Sequence, residues 1–137
     1  MTQPAMEFAP ELRGNEVLLV VEDEEGVRSL ICRTLRDLGY DVLEAKHGED
    51  ALTVLQEHHG PAHAVISDLV MPELGGAQLI EMLHAWYPAL KVLLVSGYSE
   101  DTVASKGAMV PGARYLAKPF SGETLARTVR HLLDSAE

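Results

Sequence analysis

The feature that most constrains this chain is a change of apolar period that recurs five times along it. A short continuous apolar run, "VLLVV" at 17–21, is followed by Val27, Leu30, Ile31, Leu35 and Leu38 at helical spacing, with Gly39 as the stop. "YDVLEA" (40–45) alternates weakly, and Ala51, Val54 and Leu55 then mark a helix that closes near Gly60-Pro61. "HAVIS" (63–67) leads to the stripe Leu79, Met82, Leu83 and Trp86, which ends at Pro88. "LKVLLVS" (90–96) leads to 99–109, where Ser99 and two acids resemble a helix start but the stripe is thin. "ARYLA" (113–117) precedes a last helix carrying Leu125, Val129, Leu132 and Leu133. Five strand-then-helix units in strict alternation predict an α/β domain, a parallel sheet covered by helices on both faces.

Such folds bind ligands outside the carboxyl ends of their strands, near the point where strand order reverses. The residues just after each strand are therefore the ones to read for function. Strand one ends in Glu22-Asp23-Glu24, strand three in Asp68, strand four in Ser96-Gly97 and strand five in Lys118-Pro119. At least three carboxylates, a hydroxyl and an ammonium are expected on one edge. Carboxylates about 4 Å apart repel by about 4 kcal/mol per pair at an effective dielectric of 20, so the cluster needs a cation or a proton. A hard divalent ion such as Mg²⁺ suits one or two carboxylates and leaves room for phosphate oxygens. The six histidines show no Zn²⁺ spacing, and the single cysteine, Cys32, offers no thiolate pair.

The chemistry this suggests is phosphoryl transfer onto a carboxylate. Aspartate is an established nucleophile at phosphorus, and a metal with a lysine would neutralise the transferred group. Asp68, alone at the end of a central strand, is the expected acceptor. Lys118 and Ser96 are placed to hold phosphoryl oxygens.

"VLLVVEDEEGVRSLICRTL", "VISDLVMPELGG", "KVLLVSGYSED" and "YLAKPFSGETL" resemble, in order and spacing, the receiver domain of bacterial response regulators. The likeness runs over residues 16–135, with residues 1–15 left as a polar, proline-bearing lead-in or linker. It implies a flavodoxin-like, doubly wound five-stranded parallel sheet of order 2-1-3-4-5 with five helices. Asp68 then matches the phosphoacceptor, and Glu22 and Asp23 the acid pair that serves Mg²⁺. Val70 matches the position whose backbone carbonyl reaches the metal. Ser96 matches the switch hydroxyl, Lys118 the phosphate-contacting lysine, and Tyr115 the aromatic that changes rotamer on activation.

The resemblance further implies a partner, a histidine kinase or histidine-phosphotransfer domain whose phosphohistidine supplies the phosphoryl group. The face around the fourth predicted helix, strand five and the last helix would carry the readout, and the family pattern also allows a homodimer through it. The "SGYSED" wording is most similar to receivers of hybrid histidine kinases. Two departures stand out: Glu22 is one methylene longer than the Asp also common there, and Gly75 replaces an Asp found in many relatives. Val70 and Tyr98, two residues past Asp68 and Ser96, bring no carboxylate or amide to orient attacking water, while Gly97 leaves the acceptor open. Slow self-dephosphorylation with easy loading is the expectation.

Bulk properties agree with a single domain. At 137 residues the chain can bury roughly two thirds of its unfolded surface. Eleven basic against twenty-one acidic side chains give a net charge of −10, which argues against direct binding to nucleic acid or anionic membranes. No apolar stretch approaches the roughly 18 residues of a membrane span, and no signal-peptide pattern opens the chain, so a cytoplasmic setting is expected. Cys32 reads as an inert residue beside the first helical stripe, Trp86 as core, His58-His59 as a helix end and Glu24 as a surface charge. The rival function is an Asp-nucleophile phosphatase of the haloacid-dehalogenase type. That class carries D-x-D after strand one, whereas Asp68-Leu69-Val70 lacks the second acid and sits on strand three. A flavin-binding module of the same architecture is disfavoured by acids where a phosphate cradle belongs.

Overall fold

The computed structural model describes residues 8–58, 61–69, 75–97, 110 and 112–135. Within them the chain forms β1 (Val17–Val21), α1 (Glu25–Asp37), β2 (Asp41–Ala45), α2 (Gly48–Glu57) and β3 (Ala64–Asp68). It continues through α3 (Gly76–Trp86), β4 (Lys91–Ser96), β5 (Arg114–Ala117) and α4 (Gly122–Asp134). The strands make one parallel sheet of order β2-β1-β3-β4-β5. Four α-helices lie among the described residues; the helix expected over 99–109 falls outside them, as do Val70 and Tyr98.

Alternation along each strand assigns the two faces. Leu18, Val20, Ile66, Leu93 and Val95 point to one side, where Ile31, Leu35 and Leu38 of the α1 region and Leu125, Val129 and Leu132 of α4 cover them. Leu19, Val21, Val65, Val92 and Leu94 point to the other and meet Leu55 of α2 and Leu79, Ile80 and Leu83 of α3. The sheet is thus wound on both faces, which explains why the middles of its central strands are continuous apolar runs rather than alternating ones. Each fully buried leucine or isoleucine contributes roughly 1.5–3 kcal/mol relative to exposure. The order reverses between β1 and β3, so their carboxyl ends open the crevice.

Local chemistry sets several boundaries. Ser121 Oγ caps α4 by accepting from Thr124 N at 3.1 Å, and His47 Nδ1 caps α2 by accepting from Asp50 N at 3.2 Å. Gly39 turns the chain from α1 into β2 at φ +101°, where a Cβ would also lie 2.6 Å from the Gly14 carbonyl oxygen.

Three stripe residues are not core. Leu30, Met82 and Trp86 are 43%, 42% and 54% exposed. The buried arcs of α1 and α3 are instead Ile31, Cys32, Thr34 and Leu35, and Gly76, Leu79, Ile80 and Leu83. Leu30 and Met82 lie to the side of those arcs, and Trp86 belongs to the last turn of its helix. Cys32 is buried, and desolvation pushes its thiol up to about 12, so it is inert as a nucleophile at neutral pH. Ahead of β1, a single 3-10 turn at Pro10–Leu12 seats Leu12 in the α1–α4 core, with Phe8 and Ala9 beside it.

Candidate functional site

Every residue of β3 is buried, and Asp68 closes it at 9% exposure. The strand stays bound to β4 one residue further, because Leu69 N donates to Val95 O at 2.9 Å. After residue 74, outside the described set, the chain returns across its own path: Gly76 N donates to Leu69 O at 3.0 Å. A Cβ on Gly76 would stand 2.5 Å from Asp68 O, so only glycine lets α3 begin this close to the strand end. Its neighbour Gly75 is the N-cap and supplies no side-chain bond, although its own N–H donates to Gln78 Oε1 at 3.2 Å.

One strand away, Glu22 and Asp23 follow β1. Glu22 is 1% exposed, and Asp23 is exposed. The carboxylate oxygens of Glu22, Asp23 and Asp68 lie within 4.8 Å of one another. Lys118, held at the end of β5 by its N–H donating to Ser96 O at 2.7 Å, reaches into the same crevice. Its Nζ donates to Glu22 Oε1 at 2.7 Å and to Asp68 Oδ2 at 3.5 Å. Burial alone would lower the Lys118 pKa, but the Glu22 hydrogen bond and the Asp68 charge outweigh it and raise the value above the usual lysine range. Ser96 is buried at the end of β4, one residue past Val95, the register partner of Asp68 on β3, and opposite Ala117 on β5. Tyr115, half-buried on β5, accepts a hydrogen bond from Val110 N through its hydroxyl.

The strand-end acids and Lys118 therefore converge, as the spacing predicts. Among the described residues the group sets three carboxylates against one ammonium, a local excess of negative charge. At 4.8 Å each carboxylate pair costs roughly 3 kcal/mol at an effective dielectric of 20. The donors are all oxygens, and among the described residues no histidine or cysteine joins them, so the chemistry of the set fits a hard divalent cation such as Mg²⁺.

One participant escapes a reading of strand ends. Arg28, on α1, has a side chain only 11% exposed and donates from Nη1 to the Glu22 carbonyl oxygen at 2.9 Å. The only sequence signal is its place one helical turn into α1, within reach of the acidic loop.

A doubly wound α/β domain with acids and a lysine at its switch point is thereby defined. The model of the family described as the response regulator receiver domain matches residues 18–130, and the chain belongs to that family. It is a phosphoacceptor domain of two-component signalling. The sensor kinase CckA of Brucella abortus is 39% identical over 132 residues, which are 96% of this chain and 14% of that protein. A putative NtrX-like response regulator of Rickettsia felis is 32% identical over 79% of this chain and 23% of its own length. The chain thus spans less than a quarter of either relative. Among solved structures, the receiver domain of the hybrid histidine kinase CckA aligns with TM-score 0.73 and 36% identity, covering 86% of this chain and 99% of that one. Chemotaxis protein CheY4 of Vibrio cholerae aligns with TM-score 0.77 and 26% identity, over 87% and 99%.

Proposed function

We propose that Asp68 accepts a phosphoryl group from a phosphohistidine on a histidine kinase or histidine-phosphotransfer domain. The observation that carries this reading is the convergence of Glu22, Asp23 and Asp68 within 4.8 Å, with Lys118 bonded to two of them. An Asp68 carboxylate oxygen attacks phosphorus, the P–N bond breaks, and the imidazole nitrogen keeps the electron pair and takes a proton. Glu22, Asp23 and Asp68 would hold Mg²⁺ with the Val70 carbonyl, and the ion would supply charge neutralisation for the transferred oxygens. Lys118 supplies a positive charge for the same oxygens, and Ser96 a hydroxyl donor. Gly97 contributes room: among the described residues nothing lies within 4 Å of where its Cβ would be.

Once phosphate draws Ser96 in, Tyr115 exchanges its bond to Val110 N for an inward position, and the surface around β5 and α4 changes. The CckA relatives support a receiver working within a hybrid kinase. A cytoplasmic setting and a homodimer through the β5–α4 face belong to the same proposal. Among the described residues, no helix is long and apolar enough to cross a membrane.

The test is labelling by acetyl phosphate with Mg²⁺ present. The parent protein gains one acid-stable, base-labile phosphoryl group, and Asp68→Asn gains none. Undiminished labelling of that variant would refute the assignment.

A further inference from the structure

We infer that Arg28 is a positioning residue for the acidic site, acting through the backbone of the Glu22–Asp23 loop. The inference rests on the proposed metal-binding reading and extends it to a residue outside the acid cluster.

The peptide joining Glu22 to Asp23 carries one side chain of the acid pair on each flank. Its orientation therefore sets where both carboxylates point. The incoming side of Glu22 is fixed by the sheet edge, since Glu22 N donates to Ala45 O at 3.1 Å. The outgoing carbonyl lies past the end of the ladder, and among the described residues no strand N–H donates to it. Arg28 Nη1 fills that gap at 2.9 Å. The guanidinium is anchored in turn, with Nε 3.5 Å from Glu44 Oε1 on β2. Arg36 holds the other Glu44 oxygen at 2.9 Å and the Val42 carbonyl at 3.1 Å. Glu22 O, Arg28, Glu44 and Arg36 thus form a chain of bonds from the acidic loop to α1 and the sheet's outer strand. A planar fork suits this double duty, and lysine cannot reproduce it.

A cation beside a cation site would, by charge alone, weaken metal binding. Positioning predicts the opposite sign on removal, and that difference separates the two roles. Groups that orient metal ligands from behind typically matter by about 10–100-fold in metal affinity.

The experiment is calorimetric titration of the intact chain with Mg²⁺, alongside thermal unfolding of each variant. Arg28→Ala should weaken Mg²⁺ binding by about tenfold or more, and Arg28→Lys, which keeps the charge without the fork, should fall between it and the parent. Glu44→Gln loosens the anchor but leaves the bond to the Glu22 carbonyl, and should weaken Mg²⁺ binding by clearly less than Arg28→Ala does. Unchanged or tighter binding by Arg28→Ala would overturn the inference. Equal losses in Arg28→Ala and Glu44→Gln would overturn it too, because Arg28 would then merely pin α1 to β2. A parent that binds no Mg²⁺ would instead remove the metal reading itself, and this inference with it. Should Arg28→Ala fail to fold, the Arg28→Lys titration decides the matter on the same criterion.

Discussion

The two ends of the sheet treat charge in opposite ways. At the amino end, Arg130 of α4 donates to Glu16 Oε2 at 2.6 Å, to Asp134 Oδ1 at 2.8 Å and to the Tyr40 hydroxyl at 3.2 Å. It also donates to the Arg13 carbonyl and lies 5.9 Å from the Tyr40 ring centroid. Lys91 donates to the carbonyls of Leu133 and Ser135 at the end of α4, and His63 Nδ1 accepts from Val17 N at 3.0 Å. Cations and acceptors there are matched within the protein. At the carboxyl end, among the described residues, three carboxylates crowd toward one lysine, so charge of one sign is in local excess. Opposite charges interleaved at one end tie the fold together, and like charges gather at the other. The same sheet keeps its stabilising contacts at one end and its reactive groups at the other.

Three measurements would break or sharpen that contrast. The largest effect is expected from Arg130→Ala, which removes several charge-assisted bonds at partly buried positions. A loss of about 2 kcal/mol in chemical denaturation is expected, with acetyl phosphate labelling intact. Impaired labelling in a folded sample would show that the ends are coupled.

Next comes pH, where the two ends should fail in opposite directions. Hydrogen bonding from Arg130 holds the Glu16 carboxyl below its usual range. Its contribution is therefore complete above the unfolded value of 4.5 and disappears as pH falls through the lowered folded value. The Lys118 value is raised, so its contribution is complete below 10.5 and disappears as pH climbs through the raised one. Melting temperatures of Glu16→Gln should show a smaller acid-side drop than the parent, and Lys118→Met a smaller alkaline one. Identical profiles for parent and variants would dissolve the pairing argument.

The smallest effect concerns α3. Gly75→Ser gives the helix a capping hydroxyl at a φ of −71°, which serine tolerates, and should add a few tenths of a kcal/mol. Labelling rates should stay level. A slower rate would mean that the entry to α3 is tuned for the reaction rather than merely left uncapped.

How much of this was legible in the sequence depends on the range of the interaction. Period-two and period-3.6 patterns are local, and they placed all five strands to within a residue; β3 takes in Asp68 itself rather than stopping before it. The convergence of Glu22, Asp23, Asp68 and Lys118 followed, because parallel strands bring all their carboxyl ends to one edge. Trp86 could not be placed in the same way. Periodicity reports which side of a helix is apolar but not what lies against each turn, and α3 ends with Trp86 at the surface. Leu12 gave no periodic signal, being a lone leucine in a polar, proline-bearing stretch. Arg28 acts through a carbonyl, and a backbone acceptor leaves no trace in residue identity. Glu22 was visible as the longer acid. That its extra methylene accompanies a closer approach to Lys118 than Asp68 achieves emerges only in three dimensions.

The Arg130 cluster carries an architectural consequence. It ties residues 13 and 16 to residues 130 and 134, so the route into the domain and the route out of it run side by side. Both lie across the sheet from Asp68. A domain wired this way can be spliced into a larger polypeptide like a cartridge, with its flanking tethers behind it and its working rim facing an approaching donor.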